Sequence, residues 1–99
     1  MKTQTFISIW KDVEGNMVNF ERWSNKRLST VVNKTGELML HPAYRKDNEI
    51  AVAVEFYATP DGYTKEEKPS AIYNIERMLS IGKASEEKKL LRRQRCQEW

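Results

Sequence analysis

The chain has few of the residues that covalent or metal-assisted chemistry needs. Cys96 is its single cysteine and His41 its single histidine among 99 residues. One thiol allows no internal disulfide and no cysteine-based zinc cluster, and it suits a reducing compartment. A dyad of Cys96 and His41 would need the C-terminus to fold back onto one loop, and no third residue can be named to orient the imidazole. We therefore expect no enzyme activity, no metal and no cofactor.

Long apolar runs and clustered glycines are also missing. The segment after Met1 and Lys2 is too short and too polar for the core of a signal peptide, and no run is long enough to span a membrane. The four glycines stand alone at predicted turns, so they form no phosphate-binding loop. We expect a cytoplasmic protein that does not enter a membrane.

The composition is that of one small folded domain. The chain is 39% hydrophobic and 31% charged, and it has three Trp, four Tyr and three Phe, which a disordered chain would lack. Residues 3–10 and 17–23 are rich in β-branched and aromatic residues and flank a turn at 12–16, which predicts a hairpin. Residues 49–57 alternate apolar side chains strictly and predict a strand.

Two later segments have helical spacing. Residues 24–36 have Ser24 as a candidate N-cap and Gly36 as a candidate C-cap, although their β-branched residues leave a strand open. Ser70 is the candidate N-cap of a helix over 71–81 that ends at Gly82, and a second helix restarts at Ser85. Strands followed by helices predict an α+β fold, with a small antiparallel sheet and C-terminal helices.

The net charge of +3 lies entirely at the C-terminal end. Residues 83–99 hold six basic and three acidic side chains, whereas residues 1–82 hold eleven of each. This divides the single domain into a neutral body, 1–82, and a cationic helix, 83–99. A neutral body with one cationic element indicates a surface specialised to meet a partner.

The terminal helix has a narrow apolar seam and a broad basic face. Leu90 and Leu91 share one arc with two glutamines. A solvated helix whose leucines touch the body is the structural alternative. Like-charge pairs four residues apart cost a few tenths of a kcal/mol each, which favours a docking face for an acidic protein surface or nucleic acid. The candidate partner-binding residues are Lys88, Lys89, Arg92, Arg93, Arg95 and Trp99.

Direct nucleic-acid binding is the alternative function for this helix. Helices over 71–81 and 85–97, joined by Gly-Lys-Ala-Ser, loosely match a helix-turn-helix. Lys68 and Pro69 lie in a polar stretch that should be exposed. Pro69 either starts the next helix or offers a docking point for a prolyl isomerase, because an exposed Lys-Pro bond can populate the cis form.

Four features of the sequence are its length, its Met-Lys-Thr-Gln-Thr-Phe opening, its Lys68-Pro69-Ser70 loop and its arginine-rich end. In these features the chain resembles the small anti-RecBCD proteins encoded in the recombination clusters of temperate phages. The likeness covers the whole chain but includes no diagnostic motif. It implies a non-enzymatic protein that binds the host RecBCD helicase-nuclease, chiefly through the RecC subunit, to favour phage recombination and protect phage DNA ends. It also implies association with a host peptidyl-prolyl isomerase, and Pro69 is the position that matches that contact.

Overall fold

A computed structural model of the chain describes residues 3–97, with the side chains of residues 3–92. Its strands form one antiparallel sheet in the order β2-β1-β3-β4. The predicted α+β class, with an antiparallel sheet and a C-terminal helix, is confirmed. The elements are β1 (Gln4–Lys11), β2 (Met17–Lys26), α1 (Leu28–Met39), a 3-10 turn (Pro42–Tyr44), α2 (Arg45–Ile50), β3 (Ala53–Ala58), β4 (Ala71–Asn74) and α3 (Ile75–Gln97).

The predicted hairpin of β1 and β2 is confirmed, and its turn is held by Asp12. The Asp12 carboxylate accepts hydrogen bonds from the backbone amides of Glu14 and Asn16, at 2.9 and 2.8 Å. Gly15 supplies a φ of +85° that other residues adopt at a cost. A second turn covers residues 59–62, where the Gly62 amide bonds to the Thr59 carbonyl.

The core lies between the sheet and the two long helices. Strand pairing sets Trp10 opposite Val54, and both are fully buried. From the helices, Val31 of α1 and Met78 of α3 pack into the same cluster. Ser8 and Thr35 make a buried hydrogen bond of 2.9 Å between β1 and α1, and the Trp23 indole N–H donates to Ser8 Oγ at 2.8 Å. This polar chain fixes α1 over the hairpin.

The helices α1 and α3 cross at two buried glycines. A Cβ on Gly82 would lie 2.1 Å from the Gly36 carbonyl oxygen, and one on Gly36 would lie 2.7 Å from the Gly82 amide nitrogen. Only glycine permits so close an approach of two backbones. The prediction that Gly36 and Gly82 end helices is therefore wrong, since both lie inside helices and serve the crossing.

Two boundaries in the first half differ from the sequence prediction. Ser24 is not an N-cap, because β2 stays paired with β1 as far as Lys26 and α1 begins only at Leu28. The strand alternative for residues 24–36 holds only for 24–26, which belong to β2, because residues 28–36 are helical. The strand predicted over 49–57 runs from Ala53 to Ala58, and the residues before it, 45–50, form the short helix α2.

The second half contains one long helix where the sequence predicted two. The Ser70 amide bonds to the Phe56 carbonyl as β4 begins, so Ser70 caps no helix. Asn74 takes that role, because its side-chain oxygen accepts the Arg77 amide at 2.7 Å. From Ile75 the helix runs without a break through Gly82 to Gln97, across the predicted boundary between body and terminal helix. The helix-turn-helix prediction is therefore wrong.

The sheet face away from the helices carries a second, smaller apolar patch. Ile9 and Tyr57 are buried there but lie outside the main core cluster. Lys11 pairs with Glu55 at 3.4 Å on the same face, and the Lys65 ammonium lies 4.1 Å from the Tyr57 ring centroid. The loop between β3 and β4 thus covers part of this face.

Candidate protein-docking surface

A single carboxylate on α1 holds the middle of α3 against the body. Glu37 accepts hydrogen bonds from the Ser85 hydroxyl and, at 2.5 Å, from the Lys89 ammonium. Burial raises the pKa of Glu37, but the bonds from Lys89 and Ser85 outweigh burial and leave that pKa below its usual value. The carboxylate is therefore charged at neutral pH and fixes α3 one turn beyond the glycine crossing.

Next along α3 comes a surface that combines leucines and cations. Leu90 and Leu91 are 53% and 59% exposed, so the leucine seam is not packed on the body as the structural alternative requires. Lys88 and Arg92 are exposed beside them. We call these four residues the α3 docking surface. Two adjacent exposed leucines among cations make a surface that a protein partner can desolvate.

The predicted partner-binding residues separate into three groups. Lys88 and Arg92 lie on the α3 docking surface. Lys89 is engaged by Glu37, so it serves the attachment of the helix. Arg93 and Arg95 lie on the described helix backbone, but their side chains, like that of Cys96, are outside the described part, and Trp99 is beyond the described residues altogether.

The predicted prolyl-isomerase contact lies in the loop between β3 and β4. Lys68 is exposed and Pro69 is half-buried. Pro69 does not start a helix, because β4 begins two residues later. The loop is tied at both ends, where Glu66 donates its amide to the Ala58 carbonyl and Ser70 donates to Phe56. These two hydrogen bonds fix the backbone on both sides of the Lys-Pro dipeptide.

The single histidine has a structural role. His41 precedes the 3-10 turn, and its Nδ1 accepts the Ala43 amide at 3.1 Å. His41 is an exposed residue. Because the Cys96 side chain is outside the described part, the structure gives no distance between Cys96 and His41.

Sequence reasoning missed the residues that position the docking surface. Glu37 lies just beyond Gly36, the predicted end of the first helix, and Ser85 lies at the predicted start of the last one. Their pairing joins residues 48 apart, which no local pattern indicates. The sequence offers one indication of the helix crossing, which is the pair Gly36 and Gly82. A single glycine within a helical pattern is typical of close helix packing as well as of a helix end.

No protein-family model matches the chain, and comparison with curated proteins and with solved structures finds no match. Over residues 3–97, no helix has both the length and the apolar character needed to cross a membrane.

Proposed function

We propose that this protein binds the host RecBCD helicase-nuclease through the RecC subunit and changes its handling of DNA ends, so that phage DNA is protected and phage recombination is favoured. The observation that carries the proposal is the α3 docking surface. Leu90 and Leu91 form an exposed apolar seam that borders the basic face of the helix, an arrangement suited to a protein interface. The resemblance in the sequence supplies the partner.

The physical basis of the contact is an apolar anchor bordered by charge. Burying the two leucines supplies non-directional binding energy, about 1.5 to 3 kcal/mol for each side chain that becomes fully covered. Lys88 and Arg92 at the rim add steering and specificity toward an acidic surface. Glu37 and the glycine crossing hold α3 in place before binding, which lowers the ordering cost of association.

Interferometry with the immobilised full chain and purified RecBCD tests this function. We expect binding by RecBCD and by isolated RecC. Leu91→Asp should weaken that binding by at least about thirtyfold, and Arg92→Glu by about fivefold. Lys46→Glu makes the same charge reversal on the exposed surface of α2 and should leave binding within about twofold. Absence of RecBCD binding by the parent chain would refute the proposal.

Direct nucleic-acid binding through the same helix is the competing function, and exposed Lys88 and Arg92 favour it. Fluorescence anisotropy with labelled duplex and single strands separates the two. A phosphate contact would weaken steeply with salt and would respond to Arg92→Glu but not to Leu91→Ser, which adds no charge. Our proposal expects no duplex or single-strand binding at micromolar protein and low salt.

We further propose that a host peptidyl-prolyl isomerase docks on Lys68 and Pro69. The support is the Lys-Pro dipeptide, with Lys68 exposed and Pro69 half-buried, in a loop whose backbone is bonded to β3 on both sides of it. Pro69→Ala should abolish isomerase binding in calorimetry while RecBCD binding persists, and retained isomerase binding by Pro69→Ala would contradict this contact.

A further inference from the structure

We propose that the free edge of β2, together with the groove beside α1, accepts an extended peptide segment whose apolar side chain is flanked by acidic residues. The segment would add as a fifth strand to the sheet and place its apolar side chain in the groove. This inference does not rest on the proposed RecBCD function, since it concerns another surface and another kind of contact.

The first support is the unpaired outer side of β2, which is an edge strand of ten residues. In β1, residues Thr5 and Lys11 bond to the β3 side, where they accept the amides of Thr59 and Val52. Because bonding direction alternates along an antiparallel strand, the even-numbered residues of β1 face β2. Their β2 partners are Asn19, Glu21 and Trp23.

It follows that Phe20, Arg22 and Ser24 direct their backbone groups outward. The Phe20 amide confirms this direction, because it donates to its neighbour's side-chain oxygen, Asn19 Oδ1, at 2.8 Å. That side-chain bond protects one position of the edge, and an incoming strand replaces it with a ladder bond. Such an edge provides the backbone bonds by which peptides add to sheets.

The second support is a groove of about 250 Å³ on the helix side of the same edge. Trp23 of β2 and Leu38 of α1 supply its apolar surface, with Lys34, Glu37 and His41 around them. Successive residues of an added strand point to opposite sheet faces, so alternate side chains enter this groove. Its volume accommodates one aliphatic or aromatic side chain, so the peptide should have one apolar anchor residue.

The charges along the edge specify the flanking residues. Arg22, Lys26, Arg27 and Lys34 take part in none of the ion pairs among residues 3–92, which are Lys11 with Glu55 and Lys89 with Glu37. Two nearby acids accept hydrogen bonds from neutral side chains and so keep their charge: Tyr44 donates to Glu21 and Asn19 to Asp47. Four cations against these two carboxylates leave the edge with a net positive charge, which favours an acidic segment. They also disfavour a second copy of β2, which would bring Arg22 and Lys26 against the same cations.

Selection of a displayed library of random peptides, each about ten residues long, on the full chain tests the proposal. We expect a consensus with one large apolar residue between Asp or Glu residues. As a free labelled peptide, the consensus should bind about thirtyfold more weakly to Leu38→Asp and about fivefold more weakly to Lys34→Glu. Lys46→Glu is the matched control and should be unaffected, and circular dichroism checks that each variant is folded.

Amide hydrogen exchange supplies a readout that side-chain contacts alone would not give. Bound peptide should slow exchange at the amides of Phe20, Arg22 and Ser24. A library that yields no binder, a basic consensus, binding insensitive to both groove variants, or unchanged exchange at these amides would each overturn the proposal. So would self-association of the peptide-free chain with protection of the same three amides, because the occupant would then be a second copy.

Discussion

Replacing Gly82 with alanine provides a quantitative test of the helix crossing. The added Cβ would lie 2.1 Å from the Gly36 carbonyl oxygen and 2.4 Å from its carbon, whereas ordinary contacts begin near 3.4 Å. Both obstacles are backbone atoms, so relief requires α1 and α3 to separate by roughly 1 Å, which forfeits part of their dispersion energy. Overpacking of this kind costs about 3 kcal/mol at the upper end of its usual range.

Helix propensity acts in the opposite direction. Alanine in place of glycine inside a helix gains about 1 kcal/mol, so the net loss for Gly82→Ala should be about 2 kcal/mol. For a domain of this size that loss lowers Tm by about 10 °C. Gly36→Ala should cost less, because its Cβ would meet its nearest neighbours at 2.7 to 2.9 Å.

Thermal and urea unfolding followed by circular dichroism measure these changes. Ser80→Ala is the matched control, since Ser80 is an exposed residue of α3 only two positions away. It should gain about 0.5 kcal/mol from propensity alone. A Gly82→Ala variant as stable as the parent chain, or more stable, would refute the crossing.

Three further changes test the packing and electrostatics. Thr35→Val removes a partner of the buried Ser8 hydroxyl and should lower the free energy of unfolding in urea by about 1 to 2 kcal/mol. An unchanged free energy of unfolding would show that this bond does not stabilise the fold. Glu37→Gln should cost at most about 1 kcal/mol at pH 7 because Lys89 is half-exposed. Since the folded pKa of Glu37 is lowered, the difference from the parent should shrink as the pH falls below the ordinary glutamate pKa and vanish below the folded pKa. A difference that persists in acid contradicts the pairing. The hydrogen bond to Glu55, together with burial, raises the pKa of Tyr57 to about 12. The stabilisation that this bond provides is therefore present below about pH 10 and lost as the pH rises above it. Tyr57→Phe should remove that alkaline loss of stability, and an unchanged pH profile argues against the bond.

The sequence predicted the sheet well where local patterns and tertiary contacts agree. The hairpin needed only strands rich in β-branched and aromatic residues and a turn that contains Asp12 and Gly15. Val54 and Phe56 are buried on one face as alternation indicates, but Ile50 and Val52 continue the same pattern outside the strand and remain exposed. Alternation alone does not show where pairing with β1 stops.

The errors arose where long-range packing decides a residue's role. Glycine is typical both of helix ends and of close helix crossings, and Gly36 and Gly82 are distinguished only by their contact with each other. Ser70 and Asn74 are both acceptable N-caps, and the pairing of β4 with β3 selects Asn74. The cationic end was visible in the charge pattern, but the engagement of Lys89 by Glu37 was not, because it depends on how α3 crosses α1.

The most direct test of the central claim places a photo-crosslinking amino acid at position 91 of the full chain and irradiates it with purified RecBCD. The account predicts a covalent adduct with RecC from position 91 and none from position 46, with each substituted chain folded by circular dichroism. No adduct from position 91, or equal adducts from both positions, would contradict the claim that the exposed leucines of α3 form the docking surface.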